Sequence, residues 1–383
     1  MSLLIGRGDL NFIIYLLYRC RGKKPPTLIP TNCFVLRTTT ILPNIRISWN
    51  YHPSFMLLCL LLYAGYCSFF NRRTIFLAIL TTFCYVNHEN TEITRCLMPI
   101  RGYIIEKYNT MTNAYTCNRL VQEASALDMD LQIVGIHDTA VSPHGVINHG
   151  KILKPVDFVI NRYKWGREKD AINALATRSY NPLTAYNIYI NKFEQVRRLH
   201  SKAFLIPKYL LGTSRLPFSS IVEQLGLPFV GKGLESSMGE EIVCIRDKAS
   251  YEELSLNYPS SKEWLFEEFI SESYGRDLRF YSIRGEAVAC MQRTSQGDFR
   301  ANVALGASVE PYPVTSGIRT IAADIYEQTG LDFLGIDLLF GREKPYFCEI
   351  NVMPGLEGIE KASGINVAGK IIETIQSDFT SKT

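Results

Sequence analysis

Three oxygen-bearing side chains near the end of the chain have the types and spacing to hold a hard cation: Asp337, Glu349 and Asn351. Asp337 lies in an apolar run at 335–340. Glu349 and Asn351 sit at the end of a second run, 346–350, and a Gly-Arg-Glu-Lys-Pro turn between the runs predicts a β-hairpin. Glu349 and Asn351 are two apart in extended backbone and so share a face. With Asp337 opposite, three oxygens converge, a set that magnesium accepts when substrate phosphates fill its remaining positions. An ordinary polar strand end carries the same residue types, so the set needs support from elsewhere. Pro354-Gly355 ends the strand, and the Gly-Ile-Glu-Lys-Ala-Ser-Gly segment at 358–364 is unusually specific.

The elements that must position this hairpin begin near residue 98. Strand-like runs at 102–106, 131–136 and 157–160 alternate with a helical pattern at 113–127 (Ala114, Cys117, Leu120, Val121, Ala124), which predicts a small open α/β domain. Such domains bind ligands beyond the carboxyl ends of their strands, where His137, Asp138, Asn161 and Arg162 fall; solvated loop residues are the expected reading for all four. Residues 161–187 read as a polar crossing with helix around 169–177. A helix at 191–199 follows, with Phe193, Val196 and Leu199 on one side. Lys192 opens it, where a cation gains nothing from the helix dipole, so it reads as a surface residue unless it faces a phosphate.

The segment 227–245 reads as strand, small-residue loop, strand. Lys232 comes late in the first strand, and 235–239 could present backbone N–H groups to anionic oxygens. It is not a Walker motif. After a strand from Trp264, Glu267 and Glu268 suit hydrogen bonds to a base or ribose rather than burial. Past a turn at Tyr274-Gly275, Asp277 and Arg279 share a face of the next strand. A strand at 287–291 runs into 292–302, read as a polar loop whose Arg293 and Arg300 could fork onto carboxylates or phosphates. An amphipathic helix at 313–330 leads back to the hairpin.

Composition divides the 383 residues into unlike pieces. Residues 1–97 hold six of the ten cysteines and ten basic residues against three acids, leaving 31 bases and 34 acids for the rest. The overall charge of +4 therefore says nothing about the main body, and no nucleic-acid partner is expected. Apolar runs at 55–70 and 74–86 are each shorter than the ~20 residues of a spanning helix. The expected reading is an over-long translated start, with the protein proper beginning at Met98. The alternative is a membrane association through 55–86. Cys117, Cys244, Cys290 and Cys348 have neither metal nor disulfide spacing and fit a reducing cytoplasm.

From about Asn191 to Ile375 the ordered set resembles the ATP-grasp ligases, and within them the RimK-type glutamate ligases. The matching motifs are Gly335-Ile-Asp-Leu-Leu, Glu349-Ile-Asn351, Pro354-Gly-Leu-Glu-Gly-Ile-Glu-Lys, Ala368-Gly-Lys, Gly275-x-Asp-x-Arg279 and Gly297-Asp-Phe-Arg-x-Asn302. The resemblance implies an ATP-grasp fold of the mixed α/β (α+β) class: an α/β domain at 98–187, a central subdomain with a lid at 188–265 and a C-terminal subdomain with the metal site at 266–383. It implies that Lys192 and Lys232 contact ATP phosphates under a lid of Glu235, Ser236, Ser237 and Gly239, and that Glu268 and Phe269 hold adenine. Asp277 would bind the nucleotide sugar, and Arg300 with Asn302 would reach the phosphates or the acyl intermediate. Arg293 would meet the acyl phosphate or a substrate carboxylate. Asp337, Glu349 and Asn351 would hold two magnesium ions, with manganese as a substitute. The sequence departs from the family at Ser236-Ser-Met in the lid (usually Gly-Thr-Gln), at Gln292 (often Glu) and at Phe269 (commonly Tyr).

The implied activity is a cytoplasmic, ATP-dependent ligation of an amine, expected to be glutamate or a similar amino acid, to a carboxylate-bearing acceptor through an acyl phosphate. A second enzyme reading changes the acceptor to a maturing peptide or a small cofactor. A third, a membrane-tethered protein that only binds nucleotide, is opposed by the intact Asp337, Glu349, Asn351, Lys192 and Lys232. Relatives of this kind often assemble, which leaves a homo-oligomer open.

Overall fold

Strand β6 (Val156–Asn161) is buried along almost its whole length, as an inner parallel strand covered on both faces is. It lies second in a four-stranded parallel sheet of order β7-β6-β1-β2, with β1 (Arg101–Glu106), β2 (Asp130–Gly135) and β7 (Ala176–Tyr180). Helix α1 (Ala114–Ala126) turns Cys117, Leu120 and Ala124, one helical face, onto this sheet. The same core takes in Ile371, Ile372 and Ile375 of the last helix. A small antiparallel sheet, β3 (Thr139–Ser142), β4 (Gly145–Asn148) and β5 (Lys151–Ile152), is inserted before β6.

This computed structural model describes residues 99–109, 114–236, 241–302 and 306–380, and before them only the strand backbones Ser2–Gly8, Asn11–Leu17, Cys33–Leu36 and Ile45–Ser48. The apolar runs at 55–70 and 74–86 and the expected start at Met98 lie outside the described residues. Among the described residues no helix is long and apolar enough to cross a membrane. The unit Ile100–Phe379 carries everything that follows.

The crossing predicted at 161–187 is more ordered than the sequence suggested. Helix α2 (Arg167–Asn173) stops short of Thr177, which lies instead in β7. The reason is lateral: β6 needs an outer partner, and Ala176, Arg178 and Tyr180 supply it opposite Val156, Phe158 and Ile160. Tyr180 is fully buried, stacked on Phe333 with ring centroids 5.6 Å apart. Next to it, the Asn181 amide donates to the Phe333 and Val352 carbonyls at 2.8 and 2.9 Å and accepts from the Phe333 N–H at 2.7 Å. Asn181→Ala would strand three buried backbone groups, and we expect it to lower stability by about 3 kcal/mol in urea unfolding.

Helices α3 (Leu183–Tyr189) and α4 (Lys192–Arg198) lead to the central sheet, antiparallel in the order β8-β11-β9-β10. Its strands are β8 (Tyr209–Thr213), β9 (Phe229–Gly233), β10 (Ile242–Ile245) and β11 (Glu263–Glu268). Helices α5 (Phe218–Leu225) and α6 (Lys248–Asn257) cover it with Ile221, Tyr251 and Leu254 against Phe229, Trp264 and Phe266. The last sheet, also antiparallel, has the order β14-β13-β12-β15-β16: β12 (Arg276–Ile283), β13 (Glu286–Thr294), β14 (Ser308–Pro311), β15 (Phe333–Leu339) and β16 (Tyr346–Asn351). Helix α7 (Ser316–Thr329) lays Ile318, Ile321, Ala322 and Ile325 on it, capped by the Thr315 hydroxyl and ended by Gly330 at φ 64°. Helices α8 (Glu357–Ser363) and α9 (Val367–Thr380) finish the chain.

Strand β13 extends past the 287–291 expected from its apolar residues. Gln292 and Arg293 therefore stand in the ladder and not in the following loop, with Arg293 opposite Asp277.

Candidate active site

The hairpin pairs as its spacing predicts: Asp337 of β15 lies opposite Glu349 of β16, and Asn351 opposite Gly335. The ladder is irregular between Asp337 and Leu338, where Cys348 is the extra residue on β16. Such bulges re-aim side chains beside active sites. The Asn351 amide donates to Glu349 Oε1 at 3.2 Å, so these two share a face.

Below them lies a run of four charges. Arg279 forks onto Asp337 at 2.6 and 2.5 Å, Arg293 reaches Asp337 at 2.9 Å, and Arg293 forks onto Asp277 at 2.7 and 2.5 Å. Burial opposes the charge of Asp337, but Arg279 and Arg293 hold its carboxyl below the ordinary aspartate value. Arg293 is 2% exposed and committed to two carboxylates, so it cannot reach out to a substrate as the sequence suggested. Asp277, expected at the nucleotide sugar, directs both oxygens at Arg293. Arg279 is the more exposed guanidinium: it is half-buried and lies 3.9 Å from Glu349.

Two ammonium groups approach the same end of the hairpin. Lys192 is not a surface residue. It is buried, donates to the Ser236 carbonyl at 2.6 Å and lies 3.5 Å from Glu349 Oε2. The Asn191 side chain caps α4 by accepting from the Phe193 and Glu194 N–H groups, which fixes the turn from which Lys192 projects. Lys232 projects from β9, 2.6 Å from Glu267 Oε2 and 3.8 Å from Cys348 Sγ. Burial lowers the Lys232 pKa, but Cys348, Glu267 and Glu349 outweigh it and hold the group above an ordinary lysine. Burial pushes the Cys348 thiol up to about 12, so near neutrality the carboxylates are what hold the ammonium.

Glu267 corrects a second expectation. It is 3% exposed rather than presented at a strand end, and its Oε1 has no hydrogen-bond partner among the described residues. Burial is tolerated because Lys232 neutralises it across the sheet. Glu268 is half-buried and bridges to the chain before β8, its carboxylate accepting from the Lys208 N–H at 2.8 Å. The Phe269 ring stands 6.1 Å from Phe299 and 6.2 Å from Tyr274. In the loop after β13, Arg300 pairs with Asp298 at 2.7 Å and Asn302 is half-buried. Of the lid, Glu235 and Ser236 are described: the Ser236 hydroxyl donates to the Gly233 carbonyl at 3.0 Å, and the Glu235 carbonyl accepts from Lys164 at 2.5 Å. Ser237 and Gly239 lie outside the described residues.

The strand-end residues of the first sheet also differ from expectation. Asn161 and Arg162 are buried, because Arg162 donates to the Pro354 carbonyl at 3.0 Å and Asn161 to Asn173 at 3.1 Å. The motif at 358–364 is not at the opening. Its Glu360 accepts from Tyr115 and from the Ala368 N–H, both at 2.8 Å, and so ties α8 to α1 and α9. Sequence reading gave Cys348 no place in the site and noted Arg279 and Glu267 without their ion-pair partners. Only the cross-strand pairings reveal them.

The donor set can be tested against the metal and nucleotide that the resemblance implies. Glu349 and Asn351 are half-buried oxygens at a strand end and fit a divalent cation. Asp337 fits by sharing, since Arg279 already occupies both its oxygens. The two buried ammonium groups of Lys192 and Lys232 fit a polyanionic ligand.

A RimK-like ATP-grasp domain matches residues 190–375. A probable alpha-L-glutamate ligase of Aeromonas salmonicida is 30% identical over 280 residues, 68% of this chain and 92% of the relative. One of the same description from Thioalkalivibrio sulfidiphilus is 37% identical over 160 residues, 41% of this chain. The chain spans about half the length of that relative, 53%, and of two from Shewanella, 54% and 52%. Among solved structures, the macrocyclase MdnC bound with precursor peptide MdnA from Microcystis aeruginosa is similar with a TM-score of 0.55 at 16% identity, over 72% of this chain and 99% of that one. At that identity the likeness concerns the fold, and the fold is ATP-grasp. The chain belongs to the RimK-like ATP-grasp family.

Proposed function

We propose that the chain is an ATP-dependent carboxylate–amine ligase that adds glutamate or a similar amino acid to a carboxylate-bearing acceptor. The observation that carries this reading is the gathering of two ammonium groups at the Asp337–Asn351 hairpin, Lys192 against Glu349 and the Ser236 carbonyl and Lys232 against Cys348 and Glu267. Such a meeting of cations and hard oxygens suits a triphosphate that arrives with magnesium. The glutamate-ligase description of the curated relatives supports the choice of amine.

In the reaction, an oxygen of the acceptor carboxylate attacks the γ-phosphorus of ATP, the bond to the β-phosphate oxygen breaks and ADP leaves. The amine, its ammonium proton released to water, then attacks the acyl carbon; the C–N bond forms, the C–O bond to the phosphoryl group breaks, and phosphate departs with the second amine proton. No protein side chain need become covalent. Magnesium, as two ions when bound, would neutralise the charge shared by the phosphates, and Glu349, Asn351 and Asp337 would hold it. Lys192 and Lys232 orient the phosphates, Glu268 and Phe269 frame the adenine, and Arg300 with Asn302 face the transferring group. Arg293 and Asp277 are positioning residues that keep Asp337 in place, while Arg279 takes the substrate-facing part first expected of Arg293. The lid from Glu235 keeps water from the acyl phosphate.

The test is a screen for ADP release across amino acids and acceptor fractions, with mass spectrometry of the product. We expect ADP to appear only with a matched pair, together with an acceptor heavier by one amino-acid residue. ADP release without any ligated product would overturn the reading.

A further inference from the structure

Beyond the carboxyl ends of three adjacent parallel strands, four aromatic rings stand in a row that no part of the catalytic account uses. Tyr108 follows β1, His137 follows β2, and Tyr163 and Trp165 follow β6. The centroids are 5.1 Å apart for Tyr108–His137, 5.7 Å for His137–Tyr163 and 5.9 Å for Tyr163–Trp165. Tyr163 hydroxyl and His137 Nε2 are 3.2 Å apart, which fixes the middle of the row. Its ends are open: Tyr108 is 37% and Trp165 53% exposed. An exposed tryptophan and tyrosine at the ligand-binding edge of a parallel sheet are poorly explained by packing alone.

The row joins the nucleotide site. Trp165 Nε1 donates to Glu235 Oε2 at 3.3 Å and Lys164 to the Glu235 carbonyl at 2.5 Å, so its last ring touches the start of the lid. It is also cationic at both ends, with the Lys107 ammonium 5.3 Å from the Tyr108 centroid and that of Lys164 5.5 Å from Trp165. Of the carboxylates beside the row, Asp138 accepts from the Asn109 N–H at 2.7 Å and Glu235 from Trp165, while Glu168 is half-buried next to Gly166.

We propose that this row docks the acceptor, and that the acceptor is a peptide carrying an aromatic side chain next to the carboxylate to be activated. The proposal rests on the ligase reading and deepens it. Exposed rings offer stacking to an aromatic side chain, and the half-buried Lys107 beside Tyr108 offers charge to the peptide's carboxylate. An open row suits an extended chain, whereas a small molecule is normally enclosed in a concave pocket.

The test is a binding measurement that needs no turnover. Acrylamide quenching of tryptophan emission is recorded for the full chain and for Trp165→Phe, the difference isolating Trp165, with N-acetyl-Phe-Glu, N-acetyl-Ala-Glu and benzoate as probes. The aromatic dipeptide should protect Trp165 and bind about tenfold more tightly than the alanine dipeptide. Tyr108→Ala should erase that preference while ATP affinity is unchanged. Equal binding of the two dipeptides, absence of protection, or protection by benzoate as strong as by the aromatic dipeptide would each overturn it. Docking with no ligated product would instead count against the ligase reading alone.

Discussion

Asp337→Asn is expected to abolish ADP release and also to destabilise the fold by about 3–5 kcal/mol, the cost of removing one partner from a buried ionic set. Asp337 neutralises Arg279 and half of Arg293 with 2% of its surface exposed. An amide in its place leaves the buried Arg293 with Asp277 alone and the half-buried Arg279 with only the more distant Glu349, 3.9 Å away. Sequence reasoning alone predicts an inactive but intact protein, and the four-charge run is why the structure predicts otherwise. Glu349→Gln separates the effects. Its carboxylate is half-buried and 3.5 Å from Lys192, so an amide there should be tolerated while ADP release falls by about a thousandfold. A Glu349→Gln variant as unstable in urea as Asp337→Asn would contradict this division of roles.

Lys232→Met should weaken ATP binding by about tenfold to a hundredfold, the worth of a charge-assisted contact. Alone it also leaves Glu267 buried without its cation and, among the described residues, lacking a partner at Oε1, so the single variant confounds affinity with folding. Replacing both, Lys232→Met with Glu267→Gln, removes the orphaned charge. We expect the double variant to regain most of the stability and none of the ATP affinity, read by urea unfolding and nucleotide titration. Recovery of ATP affinity in the double variant would argue that Lys232 serves Glu267 rather than the phosphates.

Local pattern made much of this legible. The Asp337–Asn351 hairpin could be read because two apolar runs flank a turn of Gly, charged residues and Pro, and α7 because its apolar positions repeat at helical spacing. What escaped depends on partners distant in sequence. Arg293 looks like a loop residue until Asp277, opposite in the ladder, makes its burial affordable. Glu267 closes an apolar strand as a polar end would, and only Lys232 on the neighbouring strand turns it inward. Arg162 follows β6 as a solvated residue should, but the Pro354 carbonyl covers it from almost two hundred residues further on. The bulge at Cys348 leaves no mark in a single strand's composition. It arises from the mismatch of two strands.

The ligase account meets its most direct test when ADP and ligated product are measured together, in one reaction, for the wild-type chain and Glu349→Gln. It predicts ADP and amide product in equal amounts from the wild type, and loss of both in the variant with nucleotide still bound. ADP formed without amide, or amide formed undiminished by Glu349→Gln, would contradict it.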